Sequence, residues 1–167
     1  MPRKTSPAAV DHTPLTRLRE GGAHGLIGYQ LAQAAIVTNQ VFDAQVGHQR
    51  GGLRRVEFTI LALVQSNRDV TARQLARALA VTPPNIAIWL DKLESRGLVA
   101  RERSVKDARM QHVRLTARGT AVVERALQVL LEGERVALDA LSGAERAMLV
   151  ELLHKVALSR RKPDKAA

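Results

Sequence analysis

Residues 71–97 read TARQLARALAVTPPNIAIWLDKLESRG, and this stretch decides the fold. Thr71 has the chemistry of a helix N-cap, and Gln74, three residues on, completes a capping box. In the short helix that follows, Leu75 and Leu79 turn inward and Arg73 and Arg77 outward. A second N-cap candidate, Thr82, precedes Pro83, whose fixed φ suits the first helical position. From there Ile86, Trp89, Leu90 and Leu93 form an apolar stripe, and Gly97 stops the helix. Two capped helices about three residues apart, the second amphipathic, are the signature of a helix-turn-helix.

Downstream, Leu98–Glu102 and Val113–Leu115 read as short strands of a hairpin, with the basic stretch Arg103–His112 as its tip. Thr116 opens a long helix striped by Val123, Leu127, Leu130, Ala137 and Leu138. Ser142 and Glu145 form another capping box, ahead of a final helix with Leu149, Leu152, Leu153 and Val156. Upstream, Leu26–Val46 is one long helix ended by Gly47, Gly51 and Gly52, and a second helix turns Val56, Ile60, Leu61 and Val64 inward. The fold class is therefore mainly α with a small β-hairpin wing: a winged helix-turn-helix flanked by N- and C-terminal dimerisation helices. Residues 1–12 are expected as a flexible tail, 13–50 as the N-terminal dimerisation region and 51–118 as the DNA-binding domain. Residues 119–159 are expected as C-terminal dimerisation helices and 160–167 as a basic flexible tail. The outer helices exceed what a small reading domain needs, and their Leu, Val and Ala stripes suit a homodimer interface.

The charge distribution points the same way. Of 167 residues, 26 are basic and 16 acidic, a net +10, and 20 of the basic residues are Arg. Residues 50–118 alone carry a balance of +8. A basic centre between near-neutral segments is the footprint of a nucleic-acid-binding module, and Arg's planar fork suits phosphate and guanine edges. With no cysteine there is no disulfide, thiolate nucleophile or thiol redox sensor. The five histidines (His12, His24, His48, His112 and His154) show no metal-ligand spacing, and neither a phosphate-cradling Gly-rich loop nor a nucleophile elbow occurs. The expectation is a non-enzyme without cofactor or metal. No run approaches the roughly 18 apolar residues of a membrane span, and no apolar segment follows the basic N-terminus, so a cytoplasmic location is expected.

The ordered set of motifs resembles the MarR family of transcriptional regulators, from about Leu26 to Leu158. The resemblance is carried by Leu93-Glu94-Ser95-Arg96-Gly97-Leu98-Val99, Arg101, Asp107-Ala108-Arg109, Val113-Arg114-Leu115-Thr116 and Gly119. Leu75-Ala76 and the run from Leu53 to Phe58 fit it too. It implies a homodimer on a pseudo-palindromic double-stranded DNA operator, usually as a repressor. It also implies release by a small aromatic carboxylate or phenol. Two alternatives stay open: a winged-helix module binding an acidic protein partner, and an activator of this family without an effector.

On the second helix of the motif, the candidate reading face comprises Thr82, Pro84, Asn85, Ala87, Ile88 and Lys92. Asn85 can pair bidentately with adenine, unless its amide is used up at the helix start, and Ala87 and Ile88 can meet thymine methyls. The family often has a polar or basic residue at the position of Ile88, so this chain is expected to favour A·T-rich DNA. The resemblance makes Arg109 the minor-groove residue of the wing, with Asp107 pinning its guanidinium. Arg73, Arg77, Arg101, Arg103 and Lys106 are candidate phosphate contacts. The family's effector pocket lies where the first two helices and the fifth meet, which offers Tyr29, Phe42, His48, Arg54, Arg55 and Phe58. The plainer reading leaves Phe42 and Phe58 in the core, His48 at a helix end, and Arg54 and Arg55 on phosphate.

Overall fold

A computed structural model describes residues 12–103 and 111–160. Six α-helices and one antiparallel hairpin make up its main elements: α1 (Ile27–Phe42), α2 (Arg55–Gln65), α3 (Ala72–Leu79), α4 (Pro83–Ser95), β1 (Val99–Arg103), β2 (Gln111–Leu115), α5 (Ala117–Ala137) and α6 (Gly143–Leu158). A 3₁₀ turn, Gly21–Gly25, precedes α1, and a π-helical turn, Asp43–Gly47, widens its end. This is the order expected from the sequence: four helices, a hairpin and two helices.

The caps show why the motif folds where it does. Thr71 Oγ1 accepts the Gln74 N–H and Gln74 Oε1 accepts the Thr71 N–H, closing the capping box of α3. At the other end Ala80 takes the left-handed conformation, φ 54°, with its N–H on the Arg77 carbonyl and the Val81 N–H on the Ala76 carbonyl. That is a Schellman closure with alanine in the place glycine usually fills. The same closure ends α4, now with glycine: Gly97, φ 66°, donates to the Glu94 carbonyl and Leu98 to that of Leu93. Because the Leu98 N–H is spent on the helix end, β1 begins at Val99, one residue later than expected. The hairpin is also longer on its far side, pairing Val99 with Leu115 and Arg103 with Gln111.

Thr82 is the N-cap of α4, as expected, but through its backbone alone. Its side chain makes no capping bond, because Pro83 and Pro84 remove N–H donors from the first turn of α4. The Asn85 N–H goes to the Thr82 backbone carbonyl instead, at 3.1 Å.

Ile60 and Leu61 of α2, Leu75 of α3, Ile86, Leu90 and Leu93 of α4, Leu98, and Val123 of α5 are fully buried. The core thus sits inside the winged motif, bounded by α2 and α5, with Trp89 half-buried against it. The outer helices differ. No residue of α6 is buried, and Met148, Leu149, Val150, Leu152, Leu153, Val156 and Leu158 are all exposed.

Candidate nucleic-acid interface

The first two turns of α4 present the exposed side chains of Pro84, Asn85, Ala87 and Ile88, with Thr82 exposed just before them. Ile88 is 63% exposed, on the face opposite the buried stripe of Ile86, Leu90 and Leu93. The Asn85 amide makes no hydrogen bond among the described residues, so it is not consumed at the helix start. A free amide beside an exposed apolar side chain on a convex helix face matches the edges of an A·T pair in the major groove.

Around this face the basic candidates divide. Arg73, Arg77 and Arg103 are exposed and have no acidic partner among the described residues. Arg101 is largely covered and held by Asp91 and by Glu94, the latter at 3.6 Å. Lys92 is exposed, with its ammonium 3.5 Å from Glu57 Oε1. A guanidinium or ammonium already between carboxylates gains less from a phosphate than a free one. Lys106, Asp107 and Arg109 lie outside the described residues.

The base of the wing is fastened to the α2–α3 turn. Asp69 adopts φ 56°, its carbonyl accepts from His112 Nδ1 at 2.9 Å, and its carboxylate meets Arg114 at 2.7 Å. Arg114 also meets Glu102 across the hairpin at 2.7 Å. Gly119 and Thr116 lock the other side: Thr116 Oγ1 donates to the Gly97 carbonyl and accepts the Gly119 N–H.

The six effector candidates are only partly brought together. The rings of Phe42 and Phe58 meet edge-on at 5.8 Å, and Arg55 lies 5.8 Å above Phe42 while pairing with Asp43 at 2.5 Å. Arg54 and His48 are exposed. Tyr29 lies 13 residues before Phe42 on α1, roughly 20 Å away along the axis, and donates to Glu20. Two clefts open elsewhere, between the end of α1 and α5, and neither is lined by any of the six. The first, about 470 Å³, has Val46, Leu53, Val122 and Ala126 as apolar wall and Arg50 and Arg125 as its cations. The second, about 680 Å³, shares Arg125 and runs along Val41, Val129 and Val136.

The profile of the MarR family matches residues 53–110. The HTH-type transcriptional repressor Rv2887 of Mycobacterium tuberculosis (strain H37Rv) is 31% identical over 130 residues, spanning 78% of this chain and 92% of the relative. The chain belongs to the MarR family. Among solved structures, the transcriptional repressor CouR bound to a 23-mer DNA duplex is similar with TM-score 0.73 and 30% identity, over 84% of this chain and 98% of that one. Rv2887 in complex with salicylic acid is similar with TM-score 0.63 and 30% identity, over 79% and 96%. The winged-helix fold of the MarR family is thus the fold of this chain, and these relatives are regulators rather than enzymes.

Within this MarR-family frame, sequence reasoning missed Glu57 and Arg96. Glu57 is a buried carboxylate, 1% exposed, whose Oε2 accepts both the Arg54 N–H and Arg96 Nη1 at 3.0 Å. Its signal was present as an acidic residue in the first turn of α2, where it faces free N–H groups. It was hidden because Arg54, unlike Ser or Thr, does not announce a cap. Arg50 and Arg125 were missed because only tertiary packing brings them to one cleft.

Proposed function

We propose that this MarR-family chain is a homodimeric repressor that reads an A·T-rich, pseudo-palindromic operator and is released by a small aromatic acid or phenol. One observation carries the reading: α4 offers an exposed Ile88 and an Asn85 amide that, like the guanidiniums of Arg73, Arg77 and Arg103 around it, has no side-chain partner among the described residues. In this reading Asn85, Ala87 and Ile88 meet base edges, and Thr82 and Pro84 approach the backbone. The arginines hold phosphates. Arg109, with Asp107 and Lys106 on the wing, enters the minor groove. Residues 13–50 and 119–159 form the dimer. The bare apolar face of α6 supports this, since monomers rarely leave so continuous a patch in water. An effector carboxylate is taken by Arg125 and Arg50 above the apolar wall of the first cleft, and the salicylic acid held by Rv2887 supports that chemistry.

The test is fluorescence anisotropy against DNA from upstream of the chain's own gene, with unrelated DNA of equal length as competitor. Tight binding that survives the competitor and falls roughly 10³-fold or more between 50 and 200 mM salt is expected. Aromatic acids are then titrated into the complex, and release that disappears in Arg125→Gln is expected. Equal, weak binding to both DNAs would overturn the reading and bring the acidic protein partner forward.

A further inference from the structure

We propose that Arg96 is the positioning residue of α4, setting the angle at which the reading face meets DNA; this rests on the DNA-reading role of α4 proposed above. Arg96 stands at the C-terminal end of the helix, and its guanidinium joins three groups. Nη1 donates to Glu57 Oε2 at 3.0 Å, and Nη2 donates to the carbonyls of Gly51 at 2.6 Å and Gly52 at 3.0 Å. Glu57 is itself fixed, buried on the first turn of α2 with the Arg54 N–H on the same oxygen. Lys92, one turn earlier on α4, faces its other oxygen at 3.5 Å.

Apart from the approach of Lys92 to Glu57 and the pairing of Asp91 and Glu94 with Arg101 of β1, the attachment of α4 is apolar, through Ile86, Leu90 and Leu93. Apolar burial sets the depth of a helix but is non-directional, so it resists a small tilt less sharply than oriented hydrogen bonds do. A planar fork bridging a carboxylate and two carbonyls on the preceding segment is directional and resists that tilt. The grip is at one end and the reading face at the other. Asn85 lies 11 residues before Arg96, roughly 16 Å along the axis, so a tilt of about 5° at the clasp moves it by roughly 1.4 Å. Hydrogen bonds to base edges tolerate only a few tenths of an ångström about 2.9 Å. A clasp of this kind therefore governs sequence reading while leaving phosphate attraction untouched. Gly51 and Gly52 also rim the first cleft, so the clasp joins the cleft to α4 directly.

The experiment compares the parent with Arg96→Lys and Glu57→Gln, each measured against upstream DNA and unrelated DNA. Lysine keeps the charge and can still meet Glu57, but its single nitrogen cannot stand at both positions held by Nη1 and Nη2. Arg96→Lys is expected to stay folded by circular dichroism and to hold unrelated DNA within about twofold of the parent, since the phosphate term is unchanged. Its affinity for upstream DNA is expected to fall by about tenfold or more, the loss of roughly one good base contact. Glu57→Gln is expected to fall in the same direction. A parent-like ratio of specific to non-specific binding in both variants would overturn the proposal. So would a loss of both affinities in step with the folded fraction, which is the mark of a purely structural role. A parent that does not discriminate the two DNAs would overturn the underlying reading of α4 as well.

Discussion

Replacing Gly119 with alanine drives a methyl group into the backbone that carries the wing. A Cβ there would stand 2.9 Å from the Leu98 carbonyl carbon and 3.3 Å from its Cα, with the carbonyl oxygen nearer still. Ordinary contact begins near 3.4 Å, so the start of α5 and the Leu98 backbone must separate. Three hydrogen bonds resist: Thr116 N–H to the Leu98 carbonyl at 3.1 Å, Thr116 Oγ1 to the Gly97 carbonyl at 2.7 Å, and Gly119 N–H to Thr116 Oγ1 at 3.0 Å. Overpacking costs about 1–3 kcal/mol, and each weakened hydrogen bond adds up to about 1 kcal/mol. Alanine returns about 1 kcal/mol of helix propensity. The net is a destabilisation of up to about 5 kcal/mol with a centre of about 2.5, which for a chain of this length lowers Tm by roughly 5–10 °C at that centre. Thermal unfolding followed at 222 nm, at one fixed protein concentration, measures it. A variant melting within about 2 °C of the parent would refute the close-approach argument.

Four further outcomes follow. Ala80→Gly removes the left-handed strain at the end of α3 and is expected to raise stability by about 0.5–1 kcal/mol, read by urea unfolding. Asn85→Ala is expected to leave Tm unchanged and to weaken upstream-DNA binding by roughly 5- to 150-fold, about 1–3 kcal/mol, while unrelated DNA is bound as before. Arg73→Ala is expected to weaken binding to all sequences alike and to reduce the slope of log affinity against log salt by about one. The Ser142 hydroxyl and N–H hold the Glu145 carboxyl below its ordinary 4.5. A depressed folded pKa gives a contribution that is complete above 4.5 and lost as pH falls through the folded value, so Ser142→Ala is expected to move the Glu145 titration, followed by NMR, back up.

The fold was legible because its signals are local. Thr71 with Gln74, Pro83, Gly97, and Ser142 with Glu145 each announce a helix end through backbone chemistry that depends on few distant neighbours. The stripes of α2, α4 and α5 follow from a 3.6-residue period. Element ends slipped where two hydrogen-bonding demands compete for one group, as when the Leu98 N–H closes α4 and delays the strand. The proposed reading face was legible in its exposure, since Asn85, Ala87 and Ile88 lie opposite the buried stripe. The charge partners were not. Lys92 and Arg101 look free in sequence, yet Glu57 of α2 and Asp91 and Glu94 of α4 occupy them, over separations that no spacing rule covers. The cleft cations Arg50 and Arg125 come together for the same reason, and Tyr29 falls away because it lies near the opposite end of α1 from Phe42.

In the proposed function two copies of α4 read DNA as a symmetric pair. Hydroxyl-radical footprinting on upstream DNA tests it most directly. Two protected patches related by a dyad are predicted, their centres one helical turn apart, about 34 Å, and both lost in Asn85→Ala at a concentration where Arg73→Ala only weakens them. Uniform protection along the duplex, or one patch without a symmetric mate, would rule out a symmetric pair of α4 helices on the DNA.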